Sequence, residues 1–485
     1  MTTSNQTVYR SPQFQVLSNE ERDMIYSASL EVLERTGVRI ERKEALDLLD
    51  GAGARIHGNI ARIPSYIVEE AVRSAPRKIL MHDRNGKPAM RLEDSYFYFG
   101  EGSDLPHILD TYTGEYRRFT KKDIGQAAKV TDALPEMDFL MSLGLIWDEP
   151  VHLTDLYQFQ EMLFNSTKPI VFTSHDKRGN KDIIDMAAIV AGSLEDLQEK
   201  PFIIHYIEPI SPLVGSKESM DKLLLSSEHM IPTLYTPTIS AGSTAPGTLA
   251  GTIVQALAEC LSGVTIAQLN RKGAPMIIGG VIGAMDMQTT QFIYGGPDFQ
   301  LMCAGMSEMA HYVGLPVYGT AGCTDSKVVD EQAAIESYFS IALQAMSGGN
   351  LIHDVGYTGS GLIGNFDMLT MSNEIIGMVR RIMRGVNTDE DHRAVDVICK
   401  VGPKGNFLQE KHTMDYFKSE HWYPELLDRR NFEKWSADGS KDMGQRINEK
   451  TRSILEEYEP EPLDKAKVKE IMALIESEGK KRKVE

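Results

Sequence analysis

The sequence predicts an α/β protein: a (β/α)8 TIM barrel over residues 96–388, with an N-terminal helical extension (1–95) and a C-terminal helical cap or interface segment (389–485). Two observations carry this prediction. Eight short apolar or β-branched runs start roughly 30 to 43 residues apart, room for one crossover helix after each. The runs are apolar nearly throughout, the pattern of parallel strands covered on both faces. No G-x-G-x-x-G opens a helix after an early strand, so a doubly wound open sheet ranks second.

The elements follow in order. NEERDMIYSASLEVLERTGV places Met24, Ile25, Ala28, Leu30, Val32 and Leu33 at helical spacing and stops at Gly37. IPSYIVEEAVRSAP is a second helix, with Pro64 and Ser65 near its start. Strand candidates are YFYFGEG from Tyr96, MDFLMSLGLI from Met137, KPIVFTS from Lys168 and PFIIHYIEP from Pro201. PTLYTPTIS from Pro232, PMIIGGVIG from Pro275, LPVYGTAG from Leu315 and NLIHDVGYTG from Asn350 complete the eight. Between them lie helix-like stretches, among them KKDIGQAAKVTDAL, TDLYQFQEMLF, EQAAIESYFSIALQAM and MLTMSNEIIGMVRRIM. The longest apolar stretch runs from Leu249 to Leu269; Gln255, Glu259 and Gln268 interrupt it, so a buried core helix is expected rather than a membrane span. Beyond residue 388 the chain is charged and helix-rich. Its Trp422, Tyr423 and Trp435 are expected to pack on the barrel or on a second subunit, and a homo-oligomer is expected.

Composition narrows the function classes. Lys and Arg total 51 against 69 Asp and Glu, a formal charge of -18, which argues against nucleic acid or an anionic membrane surface as the main partner. The four cysteines, Cys260, Cys303, Cys323 and Cys399, form no CxxC, so neither a disulfide framework nor a cysteine zinc site is suggested. The polar start MTTSNQTVYRSPQ lacks the apolar core of a signal peptide, and a cytoplasmic location is expected. The terminal KKRKVE reads as the solvated basic end of a helix.

In this fold chemistry sits at the C-terminal strand ends. Tyrosines recur there: Tyr98, Tyr206, Tyr235, Tyr318 and Tyr357, with Tyr294 and Phe366 nearby. Ring faces attract a cation that lacks hydrogen-bond donors by about 0.5 to 2 kcal/mol each; the plainer reading is that such rings fill the barrel. His175, His205, Glu208, His353 and Asp354 form a second group, but no HxH or HExxH spacing marks them as metal ligands. A metal-dependent hydrolase using His175, His205 and His353 is therefore the rival activity, and a barrel that binds without turnover is the non-enzymatic rival. Cys323, in GTAGCTDSKVVDEQAAIE, is either a nucleophile near a helix start or a small packing residue. Glu208 and Asp325 either attract a cation or cap helices.

PTISAGSTAPGTLAGTIVQALAECLSGVTIAQL, DMQTTQFIYGGPDFQLM, LPVYGTAGCTDSKVVDEQAAIE and FLQEKHTMDYFKSEHWYPELLDRRNFEKW resemble, in order, segments of the trimethylamine methyltransferase family. DTYTGEYRRFTKKDIGQAAKVTDALPEMDF resembles the same family nearer the N-terminus, so the likeness covers nearly the whole chain. It implies a (β/α)8 barrel and methyl transfer from an amine to the cob(I)alamin of a separate corrinoid protein, with no tightly bound cofactor. Founding members carry a pyrrolysine; the equivalent place here falls near Cys323 and Thr324, and the residue is absent. Trimethylamine has a lone pair that can add to an imine; a quaternary ammonium has none and needs no such activation. The resemblance thus implies a quaternary amine, glycine betaine first, with proline betaine or carnitine as alternatives. The expected substrate-binding set is Tyr98, Tyr206, Glu208, Tyr235, Tyr318, Cys323, Asp325, His353 and Tyr357, with no covalent catalytic residue and no metal. Donors expected for a substrate carboxylate are His353, the amides of Gly279 to Gly283, and Lys327.

Overall fold

Seven parallel strands form the central sheet and, from the second onward, neighbour one another in chain order. They are Tyr98–Glu101, Ile170–Phe172, Ile203–Ile207, Thr233–Tyr235, Met276–Gly279, Val317–Thr320 and Leu351–Val355. The last pairs back onto the first. The computed structural model describes residues 13–482, so nearly all of MTTSNQTVYRSPQ and the last three residues of KKRKVE lie outside the described residues. In the remaining place, Phe139 bridges Gly100 and Leu140 bridges Ile170, both in parallel. The arrangement fits a TIM-like barrel, but MDFLMSLGLI supplies single bridges where a full eighth strand was expected. Leu143, at φ +57°, turns the chain away just after the bridges.

Eight helices alternate with these segments: Lys121–Ala133, Thr154–Asn165, Lys177–Ala191, Lys217–Glu228, Leu249–Asn270, Pro297–Val313, Glu331–Met346 and Phe366–Met383. Their starts are set by short polar side chains. Thr120 and Asp123 form a capping box, and Asp176, Ser216, Asp330 and Asn365 each accept from a first-turn amide. Pro297 opens its helix, and Gly314, at φ +78°, closes it. Leu249–Asn270 is apolar and long enough to cross a membrane, but 72% of its most apolar window is buried inside the structure, as a core helix requires.

Val171, Ile204, Leu234, Ile277 and Leu351 point into the barrel with Tyr98, Phe139 and Tyr318. The antiparallel hairpin Ile79–His82 and Pro88–Leu92 plugs the N-terminal end of the sheet against them. The amide of His82 donates to the Pro201 carbonyl at 2.8 Å, which fixes the plug to the base of a strand.

The N-terminal region is not purely helical. Besides Asn19–Arg35, Lys43–Gly51 and Ser65–Ser74, it holds the plug hairpin and the strands Val38–Ile40, Arg55–His57 and Ile60–Arg62, which join Val214–Gly215 in a small sheet. Three-residue strands between glycines are too short to display a period of two, so they were invisible as a pattern. At the other end, Met443–Glu457 packs on Phe366–Met383 and Lys121–Ala133, and Lys465–Arg482 packs on Lys177–Ala191. Arg482 meets Asp182 at 2.6 Å, so this basic end is not simply solvated.

Glu101 faces outward from its strand and is fully buried. One oxygen accepts from Thr131 at 3.1 Å, and the other has no hydrogen-bond partner among the described residues. Burial pushes its carboxyl up to about 8 from 4.5. The folded state therefore holds a proton that the unfolded chain releases above 4.5, and stability falls as pH rises from there toward about 8. Glu101→Gln is expected to raise the melting temperature more at pH above 8 than at pH below 4.5. Thermal scans at both ends test this; an equal shift at both rules out the titration.

Candidate active site

Strand register decides which side chains reach the barrel mouth. Along Ile203–Ile207 the period of two sends Ile204 and Tyr206 inward and His205 outward. There His205 stacks on Phe172 at 4.6 Å and bonds to Ser174 at 3.0 Å and Ser226 at 2.7 Å. Along Thr233–Tyr235 it is Leu234 that points inward. Tyr235 lies outside, packed so closely on Leu249–Asn270 that a methyl on Gly263 would meet its ring at 2.1 Å. Tyr98 faces inward but begins its strand, and its hydroxyl accepts from the Arg91 amide at 2.9 Å beside the plug. Tyr98 and Tyr235 are thus not brought together with the others: one is at the floor, the other behind the wall.

The remaining residues do converge. The Tyr318 and His353 rings are 4.0 Å apart, with Tyr206 at 5.6 Å from Tyr318 and 6.3 Å from His353. Tyr294 stands 6.2 Å from Tyr357, and Phe292 and Phe299 extend this second group. Asp354 links the two groups: its carboxylate helps hold the hydroxyls of Tyr206, Tyr294, Tyr318 and Tyr357 above their ordinary range, after burial. Cys323 is buried among them, and burial pushes its thiol well up, away from the thiolate that a nucleophile needs.

Asp354 adopts φ +72°, a left-handed conformation unusual for a side chain that is not glycine. It is 2% exposed, and its Oδ2 has no hydrogen-bond partner among the described residues. Its Oδ1 lies 3.4 Å from His353 Nε2. His353 Nδ1 is 3.0 Å from the Gly319 carbonyl, which can only accept, so the ring hydrogen sits on Nδ1. Burial pulls His353 down to about 3, so the ring is neutral and does not balance Asp354.

Glu208 accepts from the hydroxyls of Tyr206 and Thr238. It is exposed, and Tyr206, Tyr294 and Asp104 are half-buried, yet desolvation is the leading cause raising all four. The region bordered by these four accessible side chains and the buried rings is the candidate cleft. Asp104 accepts from Gln158 at 3.3 Å and Thr173 at 3.5 Å. Lys222 acts on both Asp104 and Glu208, but its Nζ donates to the Ser174 carbonyl at 2.8 Å.

Asp325 has a different place. It accepts from the amides of Tyr294 and Gly295 at 3.0 and 2.9 Å and from Ser360 at 2.9 Å, tying the loop that carries Tyr294 to the loop beyond Leu351–Val355. Phe292 and Thr238 joined the site without having been singled out in the sequence. The aromatic doublet in QFIYGG, just before a helix start, was the available signal for Phe292; nothing marked Thr238.

The expected metal-ligand candidates do not gather. His205 faces outward, His175 is exposed and bonds to Thr154 at 2.8 Å, and among the described residues no three His, Cys, Asp or Glu side chains form a group able to hold a metal ion. A polar pocket of about 640 Å³ lies at the opposite end of the barrel, beside Asp138 and Lys168. The two charges deepest in it are engaged: Lys168 donates to the Thr131 and Leu134 carbonyls at 2.6 and 2.7 Å, and Arg380 holds Asp138 at 2.5 Å.

Comparison with known proteins agrees with this architecture. The sequence profile described as Trimethylamine methyltransferase (MTTB) matches residues 1–484. Trimethylamine methyltransferase MttB of Desulfitobacterium hafniense (strain DSM 10664 / DCB-2) is 34% identical over 471 residues, 95% of this chain and 93% of the relative. Glycine betaine methyltransferase of Desulfitobacterium hafniense (strain Y51) is 29% identical over 474 residues, 97% of this chain and 98% of the relative. Among solved structures, the Methanosarcina barkeri monomethylamine methyltransferase (MtmB) superposes with a TM-score of 0.55 at 12% identity, covering 92% of this chain and 88% of that one, which shows a shared fold. With a profile match running from end to end and a relative above 30% identity over nearly its full length, the chain belongs to the trimethylamine methyltransferase family.

Proposed function

We propose that this protein takes a methyl group from a quaternary amine, passes it to the cob(I)alamin of a separate corrinoid protein, and releases the tertiary amine. The observation that carries this reading is the cleft. Tyr206, Tyr318, Tyr294 and Tyr357 gather beside Glu208 and Asp354, and the histidine that meets Asp354 is neutral. A permanent cation without hydrogen-bond donors suits such walls. The family membership and the glycine betaine methyltransferase among the relatives support it.

The chain's part is positioning and desolvation. Rings and carboxylates hold the nitrogen while one N-methyl faces the mouth. The corrinoid supplies an electron-rich metal that accepts the methyl; the C–N bonding pair stays on nitrogen, so no general acid or base is required. Neutral His353 and the raised tyrosines fit a site that moves no proton. Positive charge leaves nitrogen in the transition state, so moderate binding favours turnover. Loops beyond the C-terminal strand ends expose Trp147, Val151, Ile210, Met287, Val328 and Leu362, an apolar rim suited to a protein partner.

Mixing the purified protein with cob(I)alamin and quaternary amines should deplete the cob(I)alamin absorbance and yield the tertiary amine by mass spectrometry. No transfer from any quaternary amine would overturn the proposal. Binding should also depend on pH. Burial leads the upward shifts of Glu208 and Asp354, and they repel each other, so the empty cleft retains protons that a cation displaces. Affinity for a quaternary cation is therefore expected to rise with pH, with Asp104, Lys222 and His353 as the other titratable groups facing the cleft. Calorimetry in buffers of different ionisation enthalpy should detect proton release; a flat affinity with none released contradicts it.

A further inference from the structure

We infer that the cleft selects a quaternary ammonium ion that carries no carboxylate, a monocation whose fourth substituent is alkyl or hydroxyalkyl, over a zwitterionic betaine. The inference rests on the quaternary-amine reading and narrows its substrate class.

A betaine brings an anion within a few ångströms of its nitrogen, and that anion needs donors. Those expected for it are already engaged. Lys327 is exposed and donates to the Asp325 carbonyl at 2.8 Å. The Gly280 amide donates to the Tyr318 carbonyl at 3.2 Å and the Val281 amide to the Pro237 carbonyl at 3.1 Å. Gly283 lies in the parallel pairing of Val281–Met285 with Thr238–Ala241. His353 directs its one N–H to Gly319 and presents the bare Nε2 to Asp354.

The fixed charges point the same way. Asp104, Glu208 and Asp354 act on one another across the cleft. The nearby cation, Lys222, is already within reach of Asp104, Glu208, Asp155 and Asp176. Those carboxyls hold protons while the cleft is empty and give them up to a bound cation, so a substrate carboxylate arriving with that cation would face ionised carboxylates, where like charges repel most. By contrast, the exposed Glu208, whose bonds to Tyr206 and Thr238 both fall on Oε1, can accept from a hydroxyl through Oε2. A hydroxyalkyl trimethylammonium ion thus supplies what the site lacks, and a betaine supplies what it already has in excess.

Calorimetry on the intact protein with tetramethylammonium, choline, glycine betaine and the methyl ester of glycine betaine tests this. The ester keeps the shape of the betaine and removes its charge. Tetramethylammonium, choline and the ester are expected to bind at least tenfold more tightly than glycine betaine. Glu208→Gln is expected to narrow that ratio by about threefold or more. Equal or tighter binding of glycine betaine overturns the inference while leaving the quaternary-amine reading intact. Binding by none of the four overturns both.

Discussion

Glu208→Gln is expected to weaken tetramethylammonium binding by roughly 30- to 150-fold. The estimate follows from the removal of one charge at close range: about 2 to 3 kcal/mol for a cation and carboxylate near 5 Å apart at the effective dielectric of a partly solvated cleft. The amide keeps the volume of the carboxylate. Its oxygen still accepts from Tyr206 or Thr238, so the fold is retained. The loss should fall on KM rather than kcat. Charge leaves nitrogen as the C–N bond breaks, so the carboxylate favours the bound cation over the transition state, and its removal leaves kcat within about threefold. Binding isotherms and methyl-transfer kinetics measure the two separately. An unchanged dissociation constant would place the cation elsewhere, and a collapse of kcat at unchanged KM would give Glu208 a chemical role that the geometry does not support.

The same residues show how far the sequence could be read. All eight barrel helices were legible, because each has apolar residues at helical spacing and most have a Ser, Thr, Asp or Asn start, as at Thr120, Asp330 and Asn365. The strand-to-helix rhythm was legible for the same reason. The orientation of single strand residues was not. Strands buried on both faces show no polar alternation, so nothing told Tyr206, which faces the cleft, from Tyr235, which packs on Gly263. Tyr98 failed on a boundary: its strand begins at that residue, which puts it at the floor.

Asp354 was noticed as a possible metal ligand only, since a lone left-handed aspartate leaves no trace in composition or spacing. Asp325 looked free to meet a cation, but its acceptors are taken by the backbone of a distant loop, a contact set by tertiary approach. The gathering of carboxyls at the cleft was hidden for a related reason. Asp104, Glu208 and Asp354 come from three strand ends, and their shared space exists only once the barrel is built.

Gly279→Ala is expected to destabilise the fold by about 3 to 5 kcal/mol and to remove cation binding in the fraction that remains folded. Gly279 sits at φ +146°, where a side chain is strained whatever the space around it. A methyl there would meet the Tyr318 carbonyl oxygen at 2.0 Å, its carbon at 2.8 Å and its nitrogen at 2.9 Å. All three are backbone atoms, so no rotamer change relieves the contact, and the strand carrying Tyr318 must shift. The Tyr318 ring lies 4.0 Å from that of His353, tilted by 53°, so a displacement of that strand also opens the aromatic wall. Gly263→Ala separates the two effects. Its methyl meets the Tyr235 ring at 2.1 Å, on the outer face of the barrel. That variant should lose stability to a similar order while its folded molecules bind tetramethylammonium as the parent does. Denaturant midpoints and calorimetry on both proteins decide the matter: equal affinity in the Gly279 variant would mean that Tyr318 is barrel filling and not part of the cation site, and weakened affinity in the Gly263 variant would mean that the cleft reaches further than the strand register allows.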